Sequence, residues 1–122
     1  MKNFKNLLLL ILPIWSFNLF ANVVECSKKD STLEIEKCFV NQLSLEEKRL
    51  DKIMNQVLRQ FSWISKEIQD SHNSWVRYKD AHCAAVYSSY GRGSMRLIAY
   101  PSCVLDMTTQ RINSIQSDFI LY

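Results

Sequence analysis

The sequence predicts an all-α domain, a compact bundle of about four helices stapled by two disulfides. Beyond position 21, the only glycines and prolines are Gly91, Gly93 and Pro101, and they fall within one eleven-residue stretch. A domain rich in tight hairpins would need such residues along its whole length. Apolar residues also recur at helical spacing through the middle of the chain, and four cysteines follow an apolar N-terminus.

Two helix starts are predicted from capping boxes, at residues 31–34 (Ser-Thr-Leu-Glu) and 44–47 (Ser-Leu-Glu-Glu). The first helix should cover about residues 32–42. The second carries an apolar stripe made of Leu50, Ile53, Met54, Val57, Phe61, Ile64 and Ile68. An unbroken helix from there to residue 87 would be about 65 Å long, too long for a compact domain of this size. We therefore predict a break at 62–65, where two serines can cap a new helix.

The third predicted helix continues the same stripe, and a fourth follows the glycine-containing loop. His72, Trp75, Cys83 and Val86 keep the helical phase of the stripe. The last helix should run from about 102 to 118 and point four apolar residues inward: Leu105, Ile112, Ile115 and Phe119. The chain contains no internal repeat and no low-complexity segment.

Residues 1–21 are predicted to be a signal peptide, and residues 22–122 to be a single domain of 101 residues. Lys2 and Lys5 precede an apolar stretch from 7 to 20, and Ala21 offers a small residue for cleavage. A retained membrane anchor is the alternative, but 14 residues fall short of the roughly 20 needed to span a bilayer. Glu25, just before Cys26, argues against a lipid anchor.

Charge and cysteine usage limit the classes of partner. Removing the leader lowers the net charge from +3 to +1, which gives no electrostatic case for nucleic acid or an anionic membrane. Four cysteines in a small exported domain indicate disulfides and a periplasmic or secreted location. The sequence leaves the oligomeric state open.

We predict the disulfides Cys26–Cys38 and Cys83–Cys103 among the three possible pairings. A short segment before Ser31 can fold back along the first helix and bring the first two sulfurs together. The glycine-containing loop supplies the chain reversal that joins the other two. Crossed pairings remain geometrically allowed, but no local feature favours them.

The third and fourth helices carry an ordered motif that resembles a known family. It reads Trp75-x-x-Tyr78-x-Asp80-x-x-Cys83, then Gly93-Ser94, then Cys103-x-x-x-Met107-Thr108-x-x-Arg111. The set resembles the LprI-like family of small exported proteins, named for a lysozyme inhibitor, over about residues 26–115. The resemblance implies a compact all-α fold and an envelope protein that blocks lysozyme. The chain departs from the family at His72, where Gln is usual, and at Lys79, where Arg is common.

Most motif residues have a structural interpretation. Trp75 lies on the apolar stripe and is expected in the core. Tyr78 and Asp80 are expected to fix helix ends, and Arg111 to pair with Asp80 across the domain. Gly93 and Thr108 are assigned to the scaffold with them. Neither histidine has a ligand four residues on, so we predict no metal site and no cofactor. No Ser, His and acid set indicates nucleophilic catalysis, and we predict that the protein is not an enzyme.

Four residues are candidates for binding a protein partner. Trp63 lies nearly opposite the apolar stripe, where it either marks the helix break or exposes its indole. Tyr90, Arg92 and Ser94 belong to a cationic loop flanked by tyrosines, which suits protein recognition. An ordinary solvated turn is the competing interpretation of that loop.

Two functions follow from these features. The first is a binding module that occludes a lysozyme-like glycosidase, in which Arg92 could pair with one of the two catalytic carboxylates. The second is an envelope structural or interaction protein, or an immunity-type partner of a secreted toxin, with no affinity for lysozyme. An acidic surface patch would favour the first, and an apolar patch around Trp63 the second.

Overall fold

The computed structural model of the protein describes residues 25–119, so the predicted signal peptide lies outside the described residues. A 3-10 turn and a short loop connect three long helices in an up-down-up arrangement. The elements are α1 (Thr32–Gln60), the 3-10 turn (Ser62–Ile64), α2 (Ser65–Ser89) and α3 (Met95–Asp118). The described residues contain no strand, and both predicted disulfides are present. The predicted all-α, doubly cross-linked fold is confirmed.

Helix α1 begins at the first predicted cap and continues through the second. The Ser31 hydroxyl accepts a hydrogen bond from the Glu34 amide at 3.3 Å, which satisfies one of the free amides of the first turn. The predicted helix start at Ser44 is wrong. The buried residues Phe39 and Leu50 lie on one face, eleven residues or about three turns apart, so a single straight helix can bury both.

The break after α1 is confirmed at the predicted place. The Phe61 amide bonds to the Val57 carbonyl at 2.8 Å, and the Ile64 amide bonds to the Phe61 carbonyl at 3.1 Å, which tightens the chain into the 3-10 turn. The predicted serine cap is absent: Ile64 occupies the cap position of α2, and no side chain caps it. The turn is held instead by apolar packing: Ile68 is buried in the core, and Phe61 is partly buried against it.

Helix α3 begins seven residues before the predicted start, so Pro101 lies in its second turn. Proline cannot donate the hydrogen bond that the Leu97 carbonyl would receive. Leu97 is exposed, and Pro101 itself is buried. Burial of the ring offsets part of the missing bond.

Helix α3 packs against both other helices, whereas α1 and α2 contact each other sparsely. Helices α1 and α3 run parallel, because Phe39 packs with Ile98 and Leu105 while the second half of α1 packs with the end of α3. The main buried cluster contains Leu50, Ile53, Met54, Val57, Ile68, Ile112 and Ile115. The predicted apolar stripe and the inward face of the last helix are confirmed.

The two disulfides hold the same half of the bundle. Cys26–Cys38 brings the segment before α1 back onto that helix, with a Cα–Cα distance of 5.4 Å. Cys83–Cys103 joins α2 to α3 with a Cα–Cα distance of 5.7 Å. Both distances lie in the range typical of disulfides. The predicted pairing is confirmed.

We expect Val57→Ala to lower the free energy of unfolding by roughly 1–3 kcal/mol, because the substitution leaves a cavity where α1 meets α3. Val57 is 0% exposed and Val40, on the same helix, is 48% exposed. Val40→Ala is therefore the matched control, with the same gain in helix propensity and little loss of burial. Urea unfolding measures both, and equal changes in the two variants would contradict the assigned packing.

Candidate functional site

The loop between α2 and α3 is held by a series of backbone turns. Helix α2 ends at Ser89, and Gly91, just beyond the cap residue Tyr90, has a φ of +58°, the left-handed conformation common after a helix. The Gly91 amide bonds to the Ser88 carbonyl at 3.1 Å, and the Gly93 amide bonds to the Tyr90 carbonyl at 3.1 Å. A Cβ added to Gly93 would lie 3.3 Å from that same carbonyl, a tight contact. The loop therefore has a defined backbone.

Arg96 braces this loop against α2. Its Nη1 donates to the Gly91 carbonyl at 3.3 Å, and its guanidinium carbon lies 5.3 Å from the centre of the Tyr87 ring. The Tyr87 ring in turn packs edge-on against Tyr100 at 6.2 Å. Two of the predicted flanking tyrosines thus support the loop rather than project from it.

Arg92 lies at the exposed tip of the braced loop. Within residues 25–119 its side chain makes no hydrogen bond and no ion pair. Tyr90 and Ser94 flank it and are exposed, and Ser94 begins α3 without donating or accepting a capping bond. Apolar side chains of Met95 and Leu97 extend the exposed surface. A free guanidinium beside apolar area is a combination typical of protein interfaces.

Trp63 is exposed, as one of the two sequence interpretations expected, and lies at the opposite end of the bundle. Its side chain is 74% exposed, and its ring centre lies 5.5 Å from that of Phe61. Phe61 also packs edge-on against Phe119 at 5.2 Å. The 25 residues of α2 separate Trp63 from Arg92 by about 37 Å. The four predicted partner-binding residues therefore form two surfaces and not one.

The motif residues of α2 and α3 meet around Trp75, which packs against the main core as predicted. His72 stacks on its indole at 5.5 Å, and the Lys79 ammonium lies 5.3 Å from the ring centre. The Arg111 guanidinium carbon lies 5.8 Å from the same ring. Two cations and a titratable imidazole thus surround one aromatic side chain. The Lys79 side chain is only 14% exposed, so part of its charge is desolvated.

Two structural roles predicted for motif residues are wrong. Asp80 pairs with Lys79 at 3.3 Å, and Arg111 instead donates to the Ser71 hydroxyl at 3.3 Å. Tyr78 and Asp80 lie exposed in the middle of α2 rather than at a helix end, because α2 continues to Ser89.

Thr108 is buried and donates to the Val104 carbonyl at 2.7 Å, so its hydroxyl is satisfied within its own helix. This contact agrees with the scaffold role predicted for it.

A cleft of about 290 Å³ opens between α2 and α3 near the 3-10 turn. Its floor is apolar and consists of Met54, Val57, Ile64, Ile68, Ile115 and Phe119. Its polar lining consists of Glu67, Ser71, Arg111 and Asp118. Sequence analysis did not find this cleft, because its floor is the same apolar stripe that forms the core.

Residues 25–119 contain no group of three His, Cys, Asp or Glu side chains placed to hold a metal ion. Over the same range, no helix combines the length and the apolarity needed to cross a membrane.

The described residues thus form a small all-α domain with two disulfides and a braced, exposed arginine loop. The family model described as "Lysozyme inhibitor LprI" matches residues 25–114. The chain therefore belongs to the LprI family, as its motif indicated. Searches of curated proteins and of solved structures find no match.

Sequence analysis also missed Arg96, which fixes the loop. A sequence signal for Arg96 exists in its spacing with Tyr100, because residues four apart lie on the same face of a helix. The predicted start at residue 102 placed both residues in a loop and concealed it.

Burial lowers the pKa of the His72 imidazole below its usual range, and the positive charges of Arg111 and Lys79 act in the same direction. Asp51 on α1 opposes them. Because protonation is easier in the unfolded chain, the stabilising contribution of neutral His72 is complete above the unfolded pKa of about 6.5. It is lost as the pH falls from there through the lower folded pKa.

We expect the wild-type protein to lose thermal stability between about pH 7 and pH 5, and His72→Gln to lose less over the same range. Gln cannot acquire a charge beside Arg111 and Lys79. Thermal unfolding followed by circular dichroism at several pH values measures the difference. Equal pH dependence in both proteins would show that the pKa of His72 is the same in the folded and unfolded states, which would contradict the prediction.

Proposed function

We propose that this protein is an exported binding module that inhibits a lysozyme-like glycosidase by covering its catalytic cleft with the loop at 90–94. Membership of a family described by lysozyme inhibition supports the choice of target class. The observation that carries the proposal is Arg92, which is exposed and unpaired at the tip of a loop with a defined backbone. Ordering the loop in advance reduces the entropic cost of binding.

Arginine suits the expected target chemically. Glycoside hydrolases of this type use two carboxyl groups, which lie roughly 5–9.5 Å apart across the scissile bond. A guanidinium can donate two parallel hydrogen bonds to one carboxylate, and the bond strengthens where water is excluded. The exposed side chains of Tyr90, Met95 and Leu97 would provide apolar contact around it. A mature charge near +1 adds no long-range attraction, so these short-range contacts must supply the affinity.

The proposal places the mature domain, residues 22–122, in the periplasm or outside the cell after removal of residues 1–21. The two disulfides support such a location, because the cytosol keeps thiols reduced. The protein acts stoichiometrically and has no hydrolytic activity of its own. Turnover of peptidoglycan by purified protein, abolished by one point substitution, would contradict this part.

A second candidate function is that of an envelope interaction protein or immunity-type partner with no affinity for lysozyme. Trp63 favours it, because an exposed indole beside Phe61 and Phe119 forms an apolar patch far from Arg92. A pull-down with mature protein from envelope extract, run beside a lysozyme activity assay, distinguishes the two functions.

We expect Arg92→Ala to raise the inhibition constant by at least about tenfold, or about 1.4 kcal/mol, because buried interface arginines are frequent hot spots. Its free energy of unfolding should change by less than about 0.5 kcal/mol, since the side chain is exposed. Titration of the inhibitor into a lysozyme activity assay measures the first quantity, and thermal unfolding checks the second.

Arg77→Ala, on the exposed face of α2, is the matched control and should leave inhibition unchanged. Retained inhibition by Arg92→Ala together with loss of inhibition by Trp63→Ala would move the site to the other end of the bundle.

A further inference from the structure

We propose that the cleft between α2 and α3 binds a short apolar peptide, with its C-terminal carboxylate at Arg111 and its ammonium group at Glu67 and Asp118. This site is separate from the loop at 90–94: Arg111 lies sixteen residues beyond the start of α3, about 24 Å along the helix. It therefore does not depend on lysozyme being the protein's partner.

Arg111 is the first observation that supports this site. Its Nε is buried and has no hydrogen-bond partner in the described structure, and its single hydrogen bond there goes to the Ser71 hydroxyl. The buried Nδ1 of His72, the neighbouring side chain on Trp75, also lacks a partner. Buried nitrogens of this kind are costly to leave unsatisfied. Arg111 also lines the cleft, and a carboxylate, an acceptor-only group, can pair with the part of the guanidinium that faces it.

The second observation is the separation of charge along the cleft. Ser71 lies one turn beyond Glu67 on α2, and Arg111 lies two turns before Asp118 on α3. The basic end of the cleft therefore lies farther from the 3-10 turn, and both acids lie closer to that turn. Glu67 makes no ion pair with any described residue, so its carboxylate is available to a cation.

The apolar floor and the length of the cleft set the size of the ligand. The rise from Arg111 to Asp118 is about 10 Å, which matches three extended residues at roughly 3.3–3.6 Å each. The floor offers only aliphatic and aromatic side chains between the two charged ends. A volume of about 290 Å³ is at the small end for ligand sites, which excludes a large ligand. A fatty acid would satisfy Arg111 but would leave its apolar end beside Glu67 and Asp118.

A series of four peptides tests the two charged ends separately. The probes are the tripeptide Ala-Leu-Ala, its C-terminal amide, its N-acetyl form, and the N-acetyl amide that lacks both charges. Each is titrated into the oxidised, isotope-labelled mature protein and followed by nuclear magnetic resonance. We expect Ala-Leu-Ala to shift the signals of the Arg111 Nε–H and the Trp75 indole saturably. Loss of either charge should weaken binding by at least about tenfold.

Variants assign each end of the peptide to its residue. Arg111→Gln should bring the affinity ratio between the acid and the amide close to one. Glu67→Gln should lower, without abolishing, the ratio between the free and the acetylated amino end, because Asp118 remains. Arg92→Gln, an arginine loss at the far end of the bundle, is the control and should change neither ratio. Should Arg111→Gln fail to fold, the peptide series with the wild-type protein decides alone. No saturable shift at millimolar peptide, equal binding of acid and amide, or an unchanged ratio in a folded Arg111→Gln would overturn the proposal.

Discussion

The contact of α3 with both other helices is the interaction on which this domain depends. Helices α1 and α2 follow each other in sequence but contact each other sparsely, so their buried faces require α3 as a common partner. Ile112 and Ile115 pack with residues of α1 and with Ile68 of α2 in a single cluster. The same helix carries one cysteine of the second disulfide, the arginine that braces the loop, and the basic end of the cleft. The position of α3 therefore determines the geometry of both candidate sites.

The cluster of charged residues around Trp75 carries an electrostatic cost. Lys79 and Arg111 are both cations, and His72 stays neutral more readily because of them. Each cation gains roughly 0.5–2 kcal/mol from the indole face. Asp80 is exposed and pairs with Lys79, while the negative charges of Asp51 and Asp118 act on His72 and Arg111. Lys79 and Arg111 therefore bring two positive charges to the face of one indole, where α2 meets α3.

Sequence patterns predicted the elements whose signals are local. The Ser31 cap, the break near 62–65, the core stripe and both disulfides depend on residues close together along the chain, and all are present. The false start at Ser44 arose because a capping box has no effect when the helix before it has no reason to stop. The late start predicted for α3 left Pro101 in the loop, whereas it lies inside the helix. Burial of its ring against the core is a tertiary effect, and no neighbouring residue signals it.

Sequence analysis could predict candidate site residues only where the side chain has no role in packing. Exposure of Trp63 was one of two interpretations of its position opposite the apolar stripe. The predicted pairing of Arg111 with Asp80 was wrong, because Asp80 lies exposed in the middle of α2 and pairs with Lys79. The parallel contact of α1 with α3 has a kinetic consequence. Arg49 and Gln116, which touch across it, are 67 residues apart, so this pairing raises the contact order well above that of a hairpin of helices. The hairpin of α2 and α3, closed by the Cys83–Cys103 bridge, forms with a far smaller loss of chain entropy. We therefore expect docking of α1 onto that hairpin to be slower than formation of the hairpin itself.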